Sequence, residues 1–219
     1  KFIGAPFTFG FEQVGTNCGL IGKNAAVEID GSAFWLSPNG FFMFDGTVKS
    51  LPCSVEDFVF NDFDTTKGQQ VAAGLNNLYT EITWYYPSAS SEYNDKYVVY
   101  NYDQKIWYVG SLARTSWIDR GVYQYPMATD SNLVYNHEKG NDNDGTAFTS
   151  FIESSPIDVQ DGDQFLFLRR MIPDISFDKS DANLSNDNKQ TIFSLKAQRS
   201  PGGGFIKTST NTVSSTTAL

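Results

Sequence analysis

The stretch Ala26-Val27-Glu28-Ile29-Asp30-Gly31-Ser32-Ala33-Phe34-Trp35-Leu36-Ser37-Pro38-Asn39-Gly40-Phe41-Phe42-Met43-Phe44-Asp45-Gly46 decides the fold class. Short apolar runs alternate in it with Asp-Gly and Asn-Gly pairs. Such pairs mark tight hairpin turns, because Gly, Asn and Asp tolerate the positive φ that type I′ turns require. The stretch therefore predicts three short strands joined as an antiparallel meander.

Outward from it, the pattern recurs. Ile82-Thr83-Trp84-Tyr85-Tyr86 reads as a strand, Pro87 to Asp95 as a polar loop, Lys96 to Tyr102 as a strand, and Ile106 to Val109 as another after the Asp103-Gln104-Lys105 turn. Setting Asp45 on Asp103 lays Phe41-Phe42-Met43-Phe44 over Val99-Tyr100-Asn101-Tyr102. A third copy, Val134-Tyr135-Asn136-His137-Glu138, shares its first three residues with Val99-Tyr100-Asn101. Repeated units of short antiparallel strands are what propeller blades are made of. The fold expected is all-β: propeller-type blades over residues 1–147 with a helical insertion near 54–74, then a smaller β-sheet or sandwich unit over 148–207, then a Ser/Thr-rich extended tail over 208–219.

In the insertion, Ser54 is placed to cap a helix, with Asp57 three residues on and Val55, Phe58 and Val59 on one face. A second turn is expected from Gln69 to Ala73, stopped by Gly74. Phe7, Phe9 and Phe11 alternate with small residues and read as an opening strand. Strands are also expected at Phe148–Ile152, Gln164–Ile172 and Gln190–Gln198, with Pro201-Gly202-Gly203-Gly204 as a flexible hairpin tip. Trp35, Phe44, Trp84, Tyr100 and Trp107 are expected to form the structural core of the blades. Burial of a large aromatic is worth roughly 3 kcal/mol or more. Tyr85, Tyr86, Tyr93 and Tyr125 read as more exposed rings, which belong on a strand face first and would otherwise suit a sugar or a partner surface.

Composition agrees with a folded β protein: 40% of residues are hydrophobic and 15% aromatic, too apolar for disorder. The formal net charge is −9, with no basic run longer than Arg169-Arg170, which argues against gripping nucleic acid. Cys18 and Cys53 form no CxxC pair, and two reduced thiols suit assembly in a reducing cytoplasm. No run approaches the ~18 apolar residues of a membrane span.

Chemistry-bearing motifs are sparse. A nucleophile–His site would have to use His137, the one histidine, which occupies a repeat position where Tyr102 stands in the second copy. Asn141-Asp142-Asn143-Asp144-Gly145 is rich in oxygen ligands, as are Asp158, Asp161 and Asp163. Laid on an EF-hand loop, however, the closing bidentate Glu falls on Phe151. Asn101, Asp103 and Trp107 echo the Asp box of sialidase-type propellers, but Lys105 stands where Gly belongs and Trp107 comes one residue early. Pro201-Gly202-Gly203-Gly204 lacks the Lys-Ser/Thr of a phosphate loop. No catalytic, cofactor-binding or metal-binding residue is assigned, and the chain is read as non-enzymatic.

The run Gly15-Thr16-Asn17-Cys18-Gly19, the strands from Val27 to Asp45-Gly46, the Leu51-Pro52-Cys53 step, and Val98-Val99-Tyr100-Asn101-Tyr102 with Ile106-Trp107-Tyr108 together resemble the tail nozzle, or tail hub, proteins of short-tailed bacteriophages. Phe151-Ile152-Glu153-Ser154, Asp158, Asp161-Gly162 and Arg169-Arg170-Met171-Ile172-Pro173-Asp174 extend the likeness, which covers about residues 10–175. The resemblance implies a virion structural protein, assembled in the host cytoplasm into a hexameric ring. The ring would contact the tail adaptor and tail fibre proteins, retain packaged DNA and form the conduit for its ejection without binding it specifically. The other reading is a receptor- or glycan-binding β module of a tail or surface protein.

Overall fold

Asp30 and Gly31 both take positive φ (49° and 79°), the geometry that the opening stretch requires at its first turn. The computed structural model describes residues 2–130, 132–140, 145–146, 150–157, 165–175, 190–200 and 202–214. From that turn an antiparallel sheet builds in chain order: β1 (Ala26–Ile29), β2 (Ser32–Ser37), β3 (Gly40–Phe44) and β4 (Val48–Ser50). At the second turn Ser37 pairs with Gly40, so the loop residues are Pro38 and Asn39, and the positive φ of 121° falls on Gly40 inside β3.

The insertion follows as α1 (Glu56–Asp62) and a 3-10 turn, Thr65–Gln70. Ser54 does not cap α1. The N-cap is Val55, without a side-chain hydrogen bond, while its side chain packs on the core. Burial of an apolar residue has overridden the capping preference here. Gly74 ends no helix either. It lies within β5 (Ala72–Asn76), the first strand of a second sheet completed by β6 (Glu81–Tyr86), β7 (Lys96–Asn101) and β8 (Ile106–Ser111). A third sheet has three strands: β9 (Ser116–Ile118), β10 (Met127–Asp130) and β11 (Leu133–Asn136). β3, β7 and β11, the strands that the repeat superimposes, each stand third in their own sheet.

Residues 1–139 form one unit in which the three sheets stack in sequence. One face of the first sheet meets the second: Phe41 lies 5.2 Å from Trp84 and 4.7 Å from Trp107, and Phe34 lies 6.3 Å from Tyr100. This is the main core, joined by Leu36, Ile82, Val98, Tyr86 and, from α1, Val59. The other face of the second sheet meets the third, with Tyr85 6.2 Å from Trp117. Sheets can approach in this way because the backbone alternates its side chains strictly between faces.

All four tryptophans donate their indole N–H to a backbone carbonyl of a neighbouring segment. Trp35 bonds Cys18 O at 2.6 Å, Trp84 bonds Ala25 O at 3.0 Å, Trp107 bonds Pro52 O at 2.9 Å and Trp117 bonds Leu75 O at 2.8 Å. Burial and hydrogen bonding are thereby satisfied by the same ring.

The expected propeller is corrected by this arrangement. Among the described residues no sheet closes or curls; each is an open meander with two edges. The turn signals and alternation report hairpins, which form locally. Closure would require the first and last sheets to meet, and no local pattern specifies that.

Residues 140–219 form a second unit. Among its described residues it contains one long hairpin, β12 (Gln190–Gln198) with β13 (Phe205–Ser214), antiparallel with a register shift at Ala197/Gln198. Gly202 turns its tip with φ 73°. Residues 208–214, expected as a tail, are therefore paired strand. The described parts of two expected strands, 150–152 and 165–172, carry none, and their apolar side chains are exposed: Ile152 is 99% and Phe165 93% accessible. Asn141–Asp144, Asp158, Asp161 and Asp163 lie outside the described residues. Among the described residues no helix is long and apolar enough to cross a membrane.

Candidate functional site

Two places in the first unit concentrate unusual side chains. The first lies where the second and third sheets meet. Arg114, in the loop between β8 and β9, is only 6% exposed and has no carboxylate within ion-pair distance among the described residues. Its Nε donates to His137 Nε2 at 2.8 Å, its Nη1 donates to Ala113 O at 2.6 Å, and its guanidinium lies 4.3 Å from the Tyr135 ring centre. The His137 ring lies 4.8 Å from Trp117. Beside them Asn76 Nδ2 donates to Glu138 Oε1 at 3.1 Å.

The electrostatics follow from burial. The His137 pKa is pushed down to about 4 by burial and by the Arg114 charge. Burial raises Glu138, and it raises Tyr85 and Tyr108 strongly, Tyr108 also through a hydrogen bond to Glu81. His137 Nε2 accepts from a guanidinium that never deprotonates, so it is not free to take a proton from a substrate. The cluster clamps the third sheet to the second.

That clamp makes stability depend on pH. The folded pKa of His137 lies below its ordinary 6.5, so its contribution is complete above pH 6.5 and is lost as pH falls towards 4. Halved for solvent screening, the loss is about 1–2 kcal/mol. Glu138 is shifted upward and acts with the opposite sign, so the comparison is made against His137→Gln. Denaturant melts across this window should show wild type losing more stability than His137→Gln; coincident profiles would show that His137 is not responsible.

The second place is the outer face of the first sheet, formed by Ala26, Ala33, Trp35, Phe42, Phe44 and Val48. Trp35 and Phe42 stack there at 5.9 Å. The segment from Val14 to Leu20 partly covers this face and leaves an apolar cavity of about 350 Å³, lined also by Gly15 and Cys18. Of the five residues expected as structural core, Trp84 and Tyr100 are buried between the first and second sheets and Trp107 packs half-buried against them. Trp35 and Phe44 lie instead on this outer face.

The other candidates take structural places. Asn101 Oδ1 accepts from Gln104 N at 2.8 Å and its Nδ2 donates to Tyr79 O at 3.0 Å, so the echo of an Asp box is a turn clamp. Lys105 adopts φ 57° in that turn. Tyr85 and Tyr86 are buried rather than exposed, whereas Tyr93 is exposed. The Cys53 thiol is pushed up to about 11 by burial, which keeps it protonated near neutral pH. Among the described residues no group of three or more His, Cys, Asp or Glu could hold a metal ion.

Arg114 and Trp117 escape the sequence reading, and Gly74 enters it only as a helix stop. Their roles arise from contacts between sheets, and only the pair Trp117-Ile118, an aromatic followed by a β-branched residue, hints at a strand. No protein-family model matches the chain, and no curated protein matches it.

Proposed function

We propose that the chain is a non-enzymatic structural subunit of a short-tailed phage virion, part of a tail nozzle or hub ring built from copies of itself. The observation that carries this reading is the number of large apolar side chains that stand exposed among the described residues. Ile152 and Phe165 stand open in the second unit, and Ile118 and Val134 stand open on the third sheet of the first. Large apolar side chains left exposed in number are regularly covered in assemblies. A two-stranded hairpin such as β12–β13 is also marginal without something to pack on.

The net charge of −9 supports the conduit role. Carboxylates repel the DNA backbone, and the scarcity of basic clusters avoids the phosphate contacts that would stall its passage. The ring would sit against the tail adaptor and fibre proteins. Electron microscopy of the purified protein, followed by immunogold labelling of virions, tests the reading. Six-fold rings and label at the tail tip are expected. A protein absent from virions would overturn it.

A further inference from the structure

The three sheets follow one packing rule, and among the described residues of this unit the two end faces have no further sheet against them. In the superimposed third strands, Phe41, Val99 and Val134 occupy one position, and Phe42, Tyr100 and Tyr135 occupy the next. Neighbouring residues of a strand face opposite ways. Phe41 points from the first sheet onto the second, where it seats against Trp84 and Trp107 and is 1% exposed. Val99 points from the second sheet towards the third and is 3% exposed. Tyr100 points back onto the first sheet, beside Phe34. Each sheet thus sends a knob forward and presents a ring-bearing face backward.

At the two ends the rule has no counterpart. Val134, the knob of the third sheet, is 67% exposed, and Ile118 and Met127 share its face with the polar Ser116, Thr129 and Asn136. At the other end Phe42, with Trp35 and Phe44, forms the backward face of the first sheet. There the loop Val14–Leu20 leaves the 350 Å³ apolar cavity in place of a seated knob.

We propose that these two surfaces are partners between copies: the Val134–Ile118–Met127 face of one protomer seats on the Trp35–Phe42–Phe44 face of a second, head to tail. This rests on the assembly reading and names its interface. The occupant follows from the molecule itself, because the third sheet presents the same forward position that Phe41 and Val99 use inside the chain. The knob is aliphatic and the cavity is apolar; the one carboxylate on the outer face, Glu28 beside Ala33, is exposed on the edge strand β1. The contact is heterologous, so it propagates into open chains unless the rotation between protomers closes a ring. A face of four short strands covers only on the order of 300 Å², which places the single contact among weak, transient interfaces and its affinity in the micromolar range.

Sedimentation velocity across a micromolar dilution series, with Val134→Asp and Phe44→Asp, tests it. Each variant alone should weaken self-association by about a hundredfold, the effect of losing a hot spot. Mixed together they should form a one-to-one dimer that grows no further, because each retains the surface that the other has lost. Val134 is exposed and its change leaves the fold intact. Ala33→Arg, which plugs the cavity, replaces Phe44→Asp should near-ultraviolet circular dichroism show that the latter disturbs packing. A wild-type protein that stays monomeric, or mixed variants that fail to associate, overturns the proposal. Rings that persist in Val134→Asp overturn it while leaving the assembly reading intact. Head-to-tail association by a protein absent from virions would instead sink the tail assignment and keep the interface.

Discussion

Trp84→Ala should lower stability by about 3–5 kcal/mol, the largest single loss expected in this chain. The indole is fully buried between the first two sheets, in contact with Phe41 and stacked at 6.0 Å on Trp107. Its removal leaves a cavity that the rigid β-sheets on either side close poorly, and it takes from the Ala25 carbonyl one of its two hydrogen bonds, leaving the one from Leu36 N at 3.1 Å. Since Ala25 lies just ahead of β1, the change should loosen the first sheet as well as the second. For a chain of this size the melting temperature should fall by about 2–4 °C per kcal/mol. Trp84→Phe restores most of the volume but not the N–H, and should recover more than half of the loss. Thermal melts followed by circular dichroism check both. A Trp84→Ala protein that melts within a few degrees of wild type would show that this core is not what holds the sheets together.

The second large effect comes from adding one methyl group. Gly74 lies in β5 directly beneath the Trp117 side chain, and a Cβ there would overlap its Cβ and the Cγ and Cδ1 atoms of its indole. Gly74 has an ordinary negative φ, so the cost of Gly74→Ala is steric rather than conformational. Overpacking of this kind costs about 1–3 kcal/mol, and here it should sit at the upper end, because the indole is held by its bond to Leu75 O. Trp117→Leu in the same chain should relieve the clash, so that the double variant is more stable than the sum of the two single changes predicts. Strict additivity in denaturant melts would show that Trp117 does not press on Gly74. Gly110, over which the Tyr97 ring lies in the same close way, provides an independent repeat of the test.

These positions divide what was legible in the sequence from what was not. The meander of β1 to β3 could be read directly, because turn chemistry and alternation act over two to six residues and are written where they act. The equivalence of Phe41, Val99 and Val134 could be read for the same reason. The short β4 and β9, and β5 with its glycine, carry too little pattern to stand out. The helix start was misread at Ser54, where the burial of Val55 outweighs a cap. Tyr85 and Tyr86 were misread as exposed because both faces of the second sheet are covered, and alternation then loses its polar half.

By itself the sequence determined that this chain makes short antiparallel strands in repeated order, with aromatics on both faces and an acidic surface. Only the tertiary structure decided that the sheets stack openly rather than close, that Arg114 and His137 clamp the third to the second, and which apolar faces remain uncovered. Turns and alternation are local, and each residue pays its own conformational cost. Sheet-on-sheet contact depends on which faces meet across long separations in the chain, as with Gly74 and Trp117, and no neighbouring residue records that choice.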